Sequence, residues 1–329
     1  MRFIDLFAGI GGFRMGMEMA GHECGGYIEI DKYARQSYEA IHDTKGEWTA
    51  HDIRTVDPRE LPEADCYTAG FPCQSFSVAG RRGGFTDTRG TLFFEIMRLA
   101  KARKPEYLFL ENVKGLLSCD GGKTFATIIS TLAELGYNAE WQVLNSKDFG
   151  VPQNRERVFI VGHLRGSGGR EVFPIRADGE QIDELQGQPL YTNTITARYE
   201  GAQATGTYVI ESKQHAQEII QINNPVHSND RVYDCEGVSP TLNTMRRRFK
   251  ADGEPMFTLN TQDRHGLYDG CHIRRLTPLE CWRLQGFPDW AFWKAKDAGV
   301  SDSQLYKQAG NAVTVNVIYE IALKLREVN

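Results

Sequence analysis

Cys73 stands in the run Gly70-Phe71-Pro72-Cys73-Gln74-Ser75-Phe76-Ser77, just past a short apolar segment, Cys66-Tyr67-Thr68-Ala69, that reads as a strand. A second such segment, Tyr107-Leu108-Phe109-Leu110, leads into Glu111-Asn112-Val113. Alone, Cys73 reads as a buried structural thiol and Glu111 as a surface carboxylate or helix cap. Side by side at the ends of two strands they become a nucleophile with an acid partner. The opening strand runs into Phe7-Ala8-Gly9-Ile10-Gly11-Gly12-Phe13. Glycines between a strand and a helix let the backbone approach a ligand closely, and the helix amino end adds a favourable dipole. Glu29 lies 20 residues after Gly9 at the end of the second strand, where an acidic side chain can bind ribose hydroxyls. That pairing points to a nucleotide-like cofactor. The dinucleotide fingerprint needs a third glycine where this chain has Arg14, so NAD is the weaker reading.

These residues need elements to bring them together. Phe3 to Phe7, Tyr27 to Ile30, Cys66 to Ala69, Tyr107 to Leu110, Trp141 to Leu144 and Arg157 to Val161 read as strands. Helical periodicity covers roughly 12–20, 32–41, 91–102 and 123–135. Such alternation predicts an α/β fold with a parallel sheet covered by helices on both faces, whose carboxyl edge gathers the glycine loop, Cys73 and Glu111 in one cleft. After Gly166-Ser167-Gly168-Gly169 the texture changes to Thr-, Asn- and Gly-rich segments. A weak echo there, Thr194-Ile195-Thr196-Ala197, Thr241-Leu242-Asn243-Thr244 and Thr258-Leu259-Asn260-Thr261, reads as similar β-prone strands. Helical patterns return at 278–285, 303–308 and 313–325. A smaller, mainly β domain therefore interrupts the first. The expected division is residues 1–165 with 296–329, an inserted domain over 166–272, and a hinge over 273–295.

The chain's 329 residues allow one large domain or two modest ones, and its 41% hydrophobic and 25% charged content excludes wholesale disorder. No apolar run approaches a bilayer span, and Met1-Arg2 leads straight into a strand, so neither a membrane segment nor a signal peptide is expected. The seven cysteines have no C-x-x-C and no zinc-like spacing, so no metal site is expected. A reducing cytoplasm is the natural compartment. A net charge of −5 argues, for the whole chain, against general nucleic-acid binding. Local tallies reverse the sign: residues 76–104 carry +5 and residues 241–275 carry +3.

At this point the residues resemble one family closely. Asp5-Leu6-Phe7-Ala8-Gly9-Ile10-Gly11-Gly12, Gly70-Phe71-Pro72-Cys73-Gln74, Glu111-Asn112-Val113 and Gln153-Asn154-Arg155-Glu156-Arg157 match, in order, signature blocks of DNA (cytosine-5) methyltransferases of the bacterial or phage, restriction-modification type. Arg275-Leu276-Thr277-Pro278-Leu279-Glu280-Cys281 and Gln308-Ala309-Gly310-Asn311-Ala312-Val313 continue the match near the end. The likeness covers the first 165 and last 55 residues; the stretch between is where this family varies its target-recognition region.

The resemblance implies a Rossmann-like, S-adenosylmethionine-dependent core with an inserted target-recognition domain. It assigns attack on carbon 6 of a flipped-out cytosine to Cys73, a contact to N3 to Glu111, and the base's carbonyl oxygen to Arg157 with Arg155 in support. For the cofactor it implies Phe7, Gly9, Gly11, Glu29, Ile30, Asp52, Ile53, Pro72, Asn311 and Val313. Ile30 is a departure, since some members carry a Trp there. The run Val78 to Gly84 resembles the family's loop that closes over DNA. Candidate DNA-contacting residues are Ser77, Arg81, Arg82 and Arg89 in the first basic segment and Arg246, Arg247, Arg248, Thr258 and Arg264 in the second. Arg246 to Lys250 reads equally as a solvated face. Double-stranded DNA is the implied partner of a monomer, with a companion restriction endonuclease acting on the same site. A tRNA cytosine-5 methyltransferase is the alternative activity. A non-enzymatic DNA binder is disfavoured by the intact Cys73, Glu111 and Arg157 set.

Overall fold

The computed structural model describes residues 1–72, 92–167, 171–175 and 276–325. Between 176 and 275 it describes only the backbone of short strands.

Seven strands form the main sheet: β1 (Arg2–Leu6), β2 (Glu23–Ile28), β3 (Trp48–Ala50), β4 (Cys66–Gly70), β5 (Tyr107–Val113), β6 (Tyr137–Asn145) and β8 (Glu156–Leu164). A two-residue strand, β7 (Gln153–Asn154), lies between the last two in sequence. The order across the sheet is β3-β2-β1-β4-β5-β8-β6. The chain lays down β1, β2 and β3 outward on one side, then crosses to β4 on the other. A ligand crevice opens where the order reverses, at the carboxyl ends of β1 and β4.

The sheet is mixed, which corrects the expectation of a parallel one: β8 runs antiparallel to both β5 and β6. Only residues 146–155 join β6 to β8, and a parallel return needs a crossover of a dozen residues or more.

Side-chain alternation along the strands separates two cores. Ile4, Leu6, Leu108, Leu110, Val158 and Ile160 face α3 (Leu92–Arg103) and α4 (Lys123–Glu134). Phe3, Tyr107, Phe109, Phe159 and Val161 face α1 (Gly12–Met19) and α8 (Val315–Leu325). The first helix and the last described one thus share a face of the sheet.

A third cluster joins Ile10, Met15 and Ile41, the last in α2 (Lys32–Ile41), to α5 (Pro278–Arg283), α6 (Asp289–Asp297) and α7 (Asp302–Asn311). Thr277-Pro278-Leu279-Glu280 starts α5 with a capping box, in which Thr277 Oγ1 accepts from the Glu280 amide and the Glu280 carboxylate from the Thr277 amide. The stretch 273–295, expected as a hinge, holds β15 (Ile273–Arg275), α5 and most of α6. Buried Trp282 ties it to α7 by donating from Nε1 to the Leu305 carbonyl at 3.0 Å.

Between the two halves of this body, β9 (Ile220–Gln221) pairs with β10 (Tyr233–Asp234). A four-stranded antiparallel sheet has the order β12 (Arg248–Lys250), β11 (Thr241–Asn243), β14 (His265–Tyr268), β15. β13 (Met256–Phe257) runs parallel to β7. Of the Thr-rich echoes, Thr241 to Asn243 is β11, while 194–197 and 258–261 lie outside the described residues.

Candidate active site

The carboxyl ends of β1, β2, β4 and β5 and the turn after α7 enclose a cavity of about 610 Å³. Its walls include Phe7, Gly9, Glu29, Ile30, Asp52, Ile53, Pro72, Asn311 and Val313, nine of the ten residues expected to hold a cofactor. Gly11, the tenth, does not line it. Its φ of 84° caps α1 in the left-handed region, and a β-carbon there would strike His42 Nε2 at 2.0 Å. Gly9 has φ 58° and nothing within 4 Å of a built β-carbon, so this glycine opens into the cavity.

Glu29 closes the floor. Its Oε2 accepts the Gly9 amide at 2.7 Å and its Oε1 the Asp31 amide at 2.7 Å. Burial pushes its carboxyl up, against the pull of those two amides. Asp31 caps α2 through Oδ1 and accepts from Lys307 Nζ at 2.6 Å through Oδ2. Burial raises that carboxyl, but the Lys307 hydrogen bond and the helix amides outweigh it and hold the group below its ordinary value. Ile30, 60% exposed, presents an apolar surface at the rim. The Asp52 carboxylate accepts from three Arg54 donors, its amide, Nε and Nη2.

At the other end of the cavity, strand register assembles a charged corner. Glu111 pairs with Phe159 across β5 and β8, and Arg157 with Val113. Glu111 and Arg157 are therefore diagonal neighbours, and alternation puts both on the face that carries Phe109 and Phe159. Arg157 Nε meets Glu111 Oε1 at 3.0 Å. Arg155, two residues before Arg157, is 3% exposed and donates from Nη2 to the carbonyls of Gly310 and Ala312 at 3.3 and 2.8 Å. All three line the cavity.

Burial raises the Glu111 carboxyl despite the opposing charges of Arg157 and Arg155, which favours its protonated form. Burial, then the charge of Arg157, pushes Arg155 down to about 9, leaving it a cation at neutral pH. Asn112 supports the corner from behind, donating from Nδ2 to the Phe71 carbonyl at 2.9 Å and so holding the chain just before Pro72.

Cys73 comes directly after Pro72 but lies outside the described residues, as do Ser77, Arg81, Arg82, Arg89, Arg246, Arg247, Thr258 and Arg264. Arg248 opens β12, described by its backbone alone.

Three sets of contacts have no signature in the sequence. Lys307 and Asp31 pair across 276 residues, and Ser37 Oγ donates to Gln308 Oε1 at 3.0 Å close by. Behind the glycine loop, wholly buried Asp5 accepts from Thr68 Oγ1 at 3.1 Å, and burial pushes its carboxyl up to about 8. Arg14, standing where the dinucleotide fingerprint has glycine, pins α1 to Glu47 with two 2.8 Å hydrogen bonds. Lys307 borders the Gln308-to-Val313 block without belonging to it. Contact partners so distant leave no local pattern.

A family model described as C-5 cytosine-specific DNA methylase matches residues 1–327. The chain is 38% identical over 329 residues to the type II methyltransferase M.NlaX of Neisseria lactamica, covering 99% of this chain and 96% of that one. It is 34% identical over 427 residues to the orphan methyltransferase M.SPRI of Bacillus phage SPR, covering 99% and 97%. Among solved structures, the Schizosaccharomyces pombe Dnmt2 methyltransferase superposes with a TM-score of 0.58 at 20% identity over 98% of each chain, a likeness of fold. Among the described residues no helix is long and apolar enough to cross a membrane.

Proposed function

Because the chain belongs to the C-5 cytosine-specific DNA methylase family, we propose that it methylates carbon 5 of a flipped-out cytosine in a specific duplex sequence, by way of a covalent bond from Cys73 to carbon 6. The observation that carries this reading is the Arg157–Glu111 contact at 3.0 Å, beside Arg155, in the wall of the cavity that also holds Gly9 and Glu29.

The cavity's chemistry fits S-adenosylmethionine. Glu29 offers free lone pairs to ribose hydroxyls, Phe7, Ile30 and Ile53 offer apolar surface to a purine, and Gly9 leaves open space. When bound, that molecule supplies an activated methyl group.

The chain's own residues do the rest. Carbon 5 of cytosine is a weak nucleophile. Attack by the Cys73 thiolate on carbon 6 breaks the ring's aromaticity and makes carbon 5 enamine-like. Glu111, its carboxyl raised by burial, gives a proton or hydrogen bond to N3 as that bond forms. Arg157, held by Glu111, stabilises charge developing on the base's carbonyl oxygen. Arg155 anchors this strand to the turn at Gly310–Ala312. After methylation carbon 5 loses its proton and the thiolate leaves. Reaching carbon 6 requires the base to leave the stack.

In this reading residues 166–272 recognise the target, and Ser77, Arg81, Arg82, Arg89, Arg246, Arg247, Arg248, Thr258 and Arg264 contact DNA. The enzyme acts as a cytoplasmic monomer, and the type II names among its relatives support a companion restriction endonuclease for the same site.

With methyl-labelled S-adenosylmethionine, purified protein is expected to label duplex DNA and not total tRNA. Cys73→Ser should abolish the label; undiminished labelling would sink the thiolate step. DNA carrying 5-fluorocytosine should be trapped covalently, since carbon 5 there has no proton to lose. Bisulfite sequencing of host DNA gives the target site.

A further inference from the structure

The far edge of the sheet carries a set of directed polar contacts that the chemistry does not use. β6 is last in the strand order, so one side of it has no strand neighbour among the described residues. Glu140 and Gln142, two residues apart on one face of β6, reach instead to the main chain of residues 171–175. Glu140 Oε1 accepts the Val172 amide at 2.7 Å and its Oε2 the Phe173 amide at 3.0 Å. Gln142 Oε1 accepts the Ile175 amide at 2.8 Å, and its Nε2 donates to the Ile175 carbonyl at 3.0 Å. His163 on β8 lies 2.5 Å from Glu140 Oε1 through Nε2, which completes the buried carboxylate's partners.

Between these bonds Val172, Phe173 and Ile175 are buried in the same core as α1 and α8. Side chains here do for residues 171–175 what a backbone ladder does for a strand. A buried carboxylate held by two amides and an imidazole meets its hydrogen-bonding needs. Neither Glu140 nor Gln142 lines the cavity.

Residues 171–175 are the described start of the region, 166–272, that in the proposed function recognises the target. We propose that Glu140 and Gln142 are positioning residues for DNA: by clasping residues 171–175 they fix the start of the recognition region against the edge of the catalytic sheet, and with it the register between the target sequence and the Glu111–Arg157 corner. This deepens the proposed function and rests on it, since it needs residues 166–272 to read the target. A misplacement of about 1 Å far from the chemistry can cost on the order of a hundredfold in rate, so a two-residue anchor has leverage.

The test uses the full chain on its bisulfite-identified site and on the same site with one base pair changed. Gln142→Ala removes both Ile175 bonds from a half-buried position, and Gln142→Glu turns the donor facing the Ile175 carbonyl into an acceptor. Both are expected to raise the KM for target DNA about tenfold. They should also narrow the ratio between the two sites, while the affinity for S-adenosylmethionine and the melting temperature hold. Faster hydrogen exchange at the Ile175 amide would report release of the clasp directly. An unchanged DNA KM and site ratio in both variants overturns the proposal, as does a parallel loss of DNA affinity, cofactor affinity and melting temperature. Wild-type protein that methylates no DNA overturns the function itself, and this inference with it.

Discussion

Glu29 and Glu111 are two buried glutamates at strand ends in one cavity, and burial raises both carboxyls. Their partners differ in kind. Glu29 is gripped by two backbone amides, those of Gly9 and Asp31. Glu111 meets the side chain of Arg157, with Arg155 beside it. Backbone amides fix a carboxylate as an acceptor in one place, which suits binding. At Glu111 burial pushes the carboxyl up while the guanidinium charges pull it down, and a group entering the corner can tip that opposition, which suits proton transfer. The same residue type thus serves two ends of one cavity because the groups around it differ.

The largest effect that would break this contrast is at the reacting end. Glu111→Gln is expected to lower the single-turnover methylation rate by about 10²–10⁴-fold, with the affinity for S-adenosylmethionine unchanged. Glu29→Gln should do the reverse, weakening cofactor binding by roughly 1.5–3 kcal/mol with the rate at saturation preserved, as titration would read. Equal effects of the two changes on both quantities would erase the distinction. If the protonated Glu111 is the working form, its contribution to the rate falls as pH rises past a pKa held above the ordinary carboxylate range, and Glu111→Gln should remove that limb of the profile.

Stability separates the two arginines next. Arg155 is buried and tied to two carbonyls, while Arg157 retains some exposure. Arg155→Met strips those carbonyls and one charge from a buried set, which can cost about 3–5 kcal/mol in denaturant unfolding. Arg157→Met should cost less stability and more activity.

Behind the loop, Asp5 supplies a pH test. Its folded carboxyl is raised from 3.8 to about 8, so the native state holds the proton more tightly than the unfolded chain. The stability this contributes is complete below about 4 and is lost as pH rises through about 8. Asp5→Asn should flatten the melting temperature across that window.

The smallest effect belongs to the half-exposed Lys307–Asp31 pair. Lys307→Met should change stability by under about 1 kcal/mol and weaken cofactor binding by only a few-fold, less so at high salt.

What the sequence made legible was local. The glycine loop, Glu29, Glu111 and the Arg155–Arg157 pair sit in runs whose spacing and flanking strands can be read directly. The direction of β8 was missed because alternation says which face a residue takes, not which way its strand runs; the short link 146–155 held that information. β3 is three residues long, too short to show a period. α6 hid because Trp290 and Trp293, each 51% exposed, put apolar residues on its solvent face as well as its buried one. The Asp5–Thr68 and Lys307–Asp31 contacts escaped because their members meet only in the folded chain.

The packing of α1 against α8 has a consequence for how the protein is made. Phe13 and Met17 share their core with Val317, Ile318 and Ile321, and Asn311 and Val313 close the cavity built on Gly9. A nascent chain that has not yet released residues 305–325 from the ribosome has a half-built pocket and an uncovered sheet face. Competence for the reaction therefore arrives late in synthesis. Truncated translation products carry the thiol and the carboxyl without the wall that completes the site.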